Sequence, residues 1–117
     1  MTTFLDELLA EVVRTEGVRA ALLIDAADGL VVAESSRLGI DSNTLAALGA
    51  SLASRLSQAA KAMGHEPPTL MHLEATEGNL TLADTQNGLL IAVLSDPDTN
   101  SGLLRITVLS AVGQLGP

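Results

Sequence analysis

Residues 17–33 read Gly17-Val18-Arg19-Ala20-Ala21-Leu22-Leu23-Ile24-Asp25-Ala26-Ala27-Asp28-Gly29-Leu30-Val31-Val32-Ala33. Val18 to Asp25 is a β-run with a wholly apolar centre, Ala20 to Ile24. Asp28-Gly29 is a turn signal, and Leu30 to Ala33 is a second β-run, so the stretch is predicted to be a β-hairpin. An apolar centre without alternation is the mark of a strand covered on both faces.

Upstream, Thr3-Phe4-Leu5-Asp6 has the spacing of a capping box, and Phe4, Leu5, Leu8, Leu9, Val12 and Val13 fall on one helical stripe that should stop at Gly17. Downstream, Asp41-Ser42-Asn43-Thr44 offers oxygens to cap a helix, and Leu45, Leu48, Leu52, Leu56 and Met63 recur at helical spacing up to Gly64. The other faces of that helix, Thr44 to Met63, carry alanine, glycine and serine, which let another backbone approach closely. Pro67-Pro68 breaks the chain. From Thr69 to Thr76, Met71, Leu73 and Ala75 alternate with His72, Glu74 and Thr76, a strand with one wet face. Gly78-Asn79 and Asn87-Gly88 are hairpin signals, so Leu80 to Thr85 and Leu89 to Leu94 complete a meander. Its last strand is apolar throughout and should be central.

Residues 102–114 fit two patterns. Leu104, Ile106 and Val108 alternate as in a strand, while Leu104, Val108, Ala111, Val112 and Leu115 make a helical stripe. Capping residues in Asp98-Thr99-Asn100-Ser101, and a sheet face that needs covering, favour the helix. The fold class is α+β in the order α-β-β-α-β-β-β-α, with a five-stranded antiparallel sheet.

At 117 residues and 12.0 kDa, with 47% hydrophobic residues, the chain suits one domain spanning residues 1–117. A net charge of -8 has the wrong sign for nucleic acid or anionic membrane. Asp6 and Glu7 stand where a signal peptide would be basic, and no membrane-length apolar run occurs, so a soluble cytoplasmic protein without membrane insertion is expected. Cysteine is absent, which removes disulfides, thiolate metal sites and a cysteine nucleophile. Phe4 is the lone aromatic residue, which disfavours stacking sites for bases and flat cofactors.

Gly17-Val18 with the apolar run to Asp25, then Asp28-Gly29-Leu30 with Ala33, the long small-residue helix, and Gly102-Leu103-Leu104-Arg105 resemble the Roadblock/dynein light-chain domain over roughly residues 4–114. The resemblance implies the middle helix on one sheet face and the terminal helices on the other. It also implies a homodimer, in which the third strand is an edge joining its copy and the middle helices lie side by side. Compact bacterial members of the MglB type dock a small Ras-like (MglA-type) GTPase on the paired middle helices and promote its GTP hydrolysis without supplying an arginine finger. Such members commonly carry a further C-terminal segment, whereas this sequence ends at Gly116-Pro117. By this likeness the partner-binding positions are Thr44, Leu45, Ala47, Leu48, Ser51, Ser54, Arg55 and Gln58, and the dimer-edge positions are Met71, His72, Leu73 and Glu74. A structural scaffold dimer without effect on nucleotide turnover is the alternative the same family allows.

The residues support no competing chemistry. Asp96-Pro97-Asp98-Thr99-Asn100 has the alternating oxygens of a calcium loop, but Ser101 replaces the turn glycine and Thr107 the bidentate glutamate, so capping is expected and no metal. His72 and Glu74 share a strand face as a pair rather than a closed site, and pairing of that edge would make assembly sensitive to pH. The serines at 35, 36, 42, 51, 54 and 57 lack a nucleophile-elbow pattern. Lys61, the one lysine, follows no phosphate loop, so the chain should need no cofactor and bind no GTP itself. Arg55, with Gln58 and Lys61, decorates the outer face of the middle helix. It either keeps that face soluble or meets the carboxylates of a GTPase switch surface.

Overall fold

The computed structural model describes residues 3–37 and 39–116; Pro117 of the closing Gly116-Pro117 pair lies outside them. Eight elements follow in the expected order: α1 (Phe4–Val13), β1 (Val18–Asp25), β2 (Leu30–Ser36), α2 (Ser42–Ala62), β3 (Leu70–Ala75), β4 (Gly78–Asp84), β5 (Leu89–Ser95) and α3 (Ser101–Gln114). The strands form one antiparallel sheet in the order β2-β1-β5-β4-β3. The apolar β5 is central, and β3 is an edge.

Local chemistry sets the helix starts. Thr3 and Asp6 close a reciprocal capping box on α1. Asp41 caps α2, accepting from the Thr44 amide at 3.1 Å and the Thr44 hydroxyl at 2.7 Å. The hydroxyl bond first, then the amide bond, holds the Asp41 carboxyl below its ordinary value. Asn100 caps α3 through the Leu103 amide at 3.0 Å, and residues 101–114 are helical rather than extended. α1 ends at Val13, earlier than Gly17, because the chain turns through Thr15 and Gly17 takes φ 92° at the entry to β1.

The sheet separates two apolar layers. On one face α1 and α3 bury Leu9, Val12, Leu104 and Val108 against Leu23, Ile91 and Val93. On the other, α2 lays Ala46 and Ala50 over Leu22, Ile24, Leu82 and Leu90. Each fully buried Leu or Ile contributes on the order of 1.5–3 kcal/mol, and β1 and β5 supply such side chains to both layers.

Four expectations need correction. Phe4 is 57% exposed and leaves the α1 stripe, since Leu8, Leu9 and Val12 already fill its contact with the sheet. Leu48 and Met63 are 64% and 68% exposed. The α2 contact is made by Ala46, Gly49 and Ala50, small enough to bring the helix axis close, with Leu45, Leu52 and Leu56 at its flanks. Gly78-Asn79 is not a turn. The hairpin turns at Thr76-Glu77, and Gly78 begins β4 paired with Ala75, where a β-carbon would stand 3.1 Å from the Ser95 carbonyl oxygen and 3.2 Å from the Arg19 guanidinium. Lastly, β3 is not wet along one face. Met71 is buried on one face and Leu70 and His72 are half-buried on the other, while Leu73, Glu74 and Ala75 are open on both, because the helices reach only its first half.

Candidate functional site

Two surfaces carry the residues singled out by the sequence. The first is the outer side of α2. Thr44, Ala47, Leu48, Ser51, Ser54, Arg55 and Gln58 are all exposed and run as one band along the helix, while Leu45 turns inward and packs at the margin of the α2 layer. Gln58 Nε2 donates to Ser54 Oγ one turn back at 3.4 Å. The helix contributes a low surface of Ala and Ser punctuated by Leu48 and Arg55.

A wall that sequence reasoning did not anticipate stands beside this band. The β1–β2 turn is held in shape by Asp25, whose carboxylate accepts from the amides of Ala27 at 3.0 Å and Asp28 at 3.2 Å, while its carbonyl accepts from the Gly29 amide at 2.8 Å. Gly29 has φ 69°, and a β-carbon on it would stand 3.2 Å from Ala47 Cα. The turn therefore lies directly against α2. Between them runs an open groove of about 580 Å³, floored by Ala47, Ala50 and Ser51 and flanked by Asp28 on one side and Arg55 and Gln58 on the other. The signal was present in the sequence as Asp25 followed by Asp28-Gly29, but a hairpin signal says how a chain turns and not what the turn leans on.

The second surface is the β3 edge. Met71 points into the α2 layer and is buried. His72 points the other way and is half-buried, its Nδ1 2.8 Å from Thr81 Oγ1 and its Nε2 3.6 Å from Glu74 Oε1. Leu73 is 39% exposed on the α2 side, and Glu74 is exposed beyond His72. The structure thus brings Leu73 and Glu74 to solvent at the sheet margin and withdraws Met71 from it.

The acidic loop does different work. Asp96 accepts from the Arg19 guanidinium, which also donates to the Glu77 carbonyl oxygen at 3.0 Å, and Asn100 is spent on its cap. Arg19 so ties the start of β1 to the end of β5 and to the β3–β4 turn. Among the described residues no group of three or more His, Cys, Asp or Glu gathers to hold a metal, and no helix is long and apolar enough to cross a membrane.

What the two surfaces can do is complement a protein. One is a shallow, small-residue groove with one charge of each sign at its rims, and the other is an open strand edge. Comparison with known proteins gives the same fold. The Roadblock/LC7 domain model matches residues 4–95. A protein of Methanocaldococcus jannaschii is 27% identical over 111 residues, 95% of this chain and 96% of its own length. MglB of Myxococcus xanthus superposes with a TM-score of 0.89 at 20% identity, over 97% of this chain and 92% of that one. The gliding protein MglB of Thermus thermophilus does so with a TM-score of 0.81 at 26% identity, over 91% and 81%.

Proposed function

The chain belongs to the Roadblock/LC7 domain family, and we propose on that premise that it is a homodimeric, non-catalytic regulator. In this reading it binds a small Ras-like GTPase of the MglA type and promotes GTP hydrolysis. The observation that carries the proposal is the exposed α2 band from Thr44 to Gln58, a surface without bulky side chains apart from Leu48, Arg55 and Gln58, lying beside the fixed 26–29 turn. A partner loop can descend onto such a floor, with Arg55 set to meet a carboxylate in the bidentate geometry that arginine favours. The likeness to MglB of Thermus thermophilus along most of the chain supports the same assignment. The reading entails a cytoplasmic location and no cofactor, nucleic acid or membrane insertion.

The test is light scattering after gel filtration, with refractive-index detection because Trp and Tyr are absent. The chain is run alone and mixed with small GTPases of its own genome, each loaded with GDP or a GTP analogue. A dimer that retains a GTPase in the GTP-like state, followed by faster single-turnover hydrolysis in its presence, is the expected result. Retention without acceleration would leave a scaffold, and a dimer that retains none in either state would overturn GTPase binding.

A further inference from the structure

The groove between α2 and the 26–29 turn has walls of opposite chemistry. On the turn every amide is already spent. Ala26 donates to the Gly88 carbonyl at 2.9 Å, Ala27 and Asp28 to the Asp25 carboxylate at 3.0 and 3.2 Å, and Gly29 to the Asp25 carbonyl at 2.8 Å. Its side chains are those of Ala, Ala, Asp and Gly, so the turn has no donor left, and the exposed Asp28 carboxylate makes it an accepting, negative wall. Arg55 stands across the groove and can only donate. Among the described residues neither Asp28 nor Arg55 meets an opposite charge within the chain. α2 carries Arg55 and Lys61 and no acid from Ser42 to Ala62, a positive element in a chain of net charge -8.

Resting on the GTPase reading above, we infer that the groove takes an extended loop of the partner with a basic and an acidic residue on its two sides, the base meeting Asp28 and the acid meeting Arg55. Covering either charge without a counter-charge is costly, so an occupant of one sign strands a wall. A phosphate group fails at the turn, where it meets a carboxylate and no donor. From Ala47 to Gln58 α2 rises about 16 Å, so a groove of about 580 Å³ averages roughly 35 Å² in section. A helix about 10–12 Å across is too wide for that, whereas an extended chain, with packed spacings of about 4.8 Å and 10 Å, comes close. Successive side chains of an extended chain point to opposite sides. Acid and base therefore stand an odd number of positions apart, and are neighbours in the simplest case.

Asp28 is on this account a specificity-determining residue. Arg55 alone would accept any loop bearing a carboxylate, whereas Asp28 turns away a loop whose second charge is also negative. Its place is set by backbone rather than by a flexible stem, because Gly29 seats the turn against Ala47 and the Asp25 bonds fix the turn's shape. Such a fixed group loses little freedom when a partner arrives. The net charge of -8 draws a basic partner surface from a distance, and the acid-free helix then selects which acid of that surface docks.

The experiment uses the full chain and the GTP-analogue-loaded small GTPase that it retains on gel filtration, with dissociation constants from calorimetry. Asp28→Lys should weaken binding roughly ten- to hundredfold. Asp28→Asn, which removes the charge and keeps the shape, should weaken it roughly threefold or more. Glu7→Lys makes the same change in net charge as Asp28→Lys, on α1 across the sheet, and should shift affinity less than about threefold. The chain has no cysteine, so benzophenone maleimide on Ala27→Cys marks one place beside the groove. The GTPase peptide it captures should hold an acid and a base at odd spacing. Equal affinity of Asp28→Lys and Glu7→Lys, or a captured peptide of one charge sign, overturns the inference and leaves GTPase binding standing. A natural chain that retains no GTPase in either nucleotide state overturns that reading, and this inference with it.

Discussion

Gly29 joins the two halves of the α2 groove. Its φ of 69° strains any side chain, and a β-carbon there would stand a tight 3.2 Å from Ala47 Cα. Gly29→Ala should therefore cost about 1–2 kcal/mol through left-handed strain alone, and more if the turn must lift from α2. Urea unfolding followed by far-ultraviolet circular dichroism measures it. Asp41 acts at the other end of that helix, and its carboxyl is held low by the bonds from Thr44. A lowered native value means the ionised form is the stabilising one. Its contribution is whole above the ordinary aspartate value of 3.8 and vanishes as pH falls through the lower native one. Asp41→Ala should thus melt below the natural chain at neutral pH, and the gap should close in acid; thermal scans at several pH values would reveal a gap independent of pH if the cap worked through its dipole alone.

At the scale of the element, α2 presents two unlike faces, and substitutions on each should separate stability from recognition. Leu82→Ala removes a fully buried partner of α2 and should cost about 2–5 kcal/mol, whereas Ser51→Arg, on the exposed groove floor, should change stability by less than about 0.5 kcal/mol. Ser51→Arg and Arg55→Glu should nevertheless abolish or weaken GTPase retention in the chromatographic assay, and unchanged retention by both would remove the groove from the binding surface. The elements were legible in the sequence to different depths. β1 and β5 announce themselves, because strands covered on both faces have centres that are apolar without a break, Ala20 to Ile24 and Leu89 to Leu94. α3 was ambiguous because Leu103, Ile106 and Leu109 keep its solvent side apolar as well, erasing the contrast on which a helical period depends. The face of α2 was misjudged at Leu48 for the opposite reason. There the closest approach is made by Ala46, Gly49 and Ala50, and hydropathy gives such small residues little weight. The groove wall at 26–29 was invisible, since contact between a turn and a helix some twenty residues later leaves no periodic trace.

For the whole molecule, order of stability should follow the order of the sheet. β1 and β5 lie between two apolar layers, while β3 is flanked on one side and half covered. Amide exchange should be slowest at Leu22 and Val93 and fastest at His72 and Glu74 in dilute solution, with the last two slowing as concentration rises. Equal exchange at His72 in dilute and concentrated samples would leave the β3 margin unpaired. The bulge at Val32 bears on how far assembly can go. A chain with two straight margins can stack front to back without end, and heterologous contacts that fail to close make fibres. With the β2 margin bent where Val32 bulges between the Leu23–Ala33 and Ile24–Val31 pairs, the self-matching join of the proposed homodimer can be made once and then has nowhere to continue, so an inserted irregularity of one residue would set a ceiling of two on growth along the sheet. Deleting Val32 would lift that ceiling, and turbid, ribbon-forming preparations are the form its loss should take.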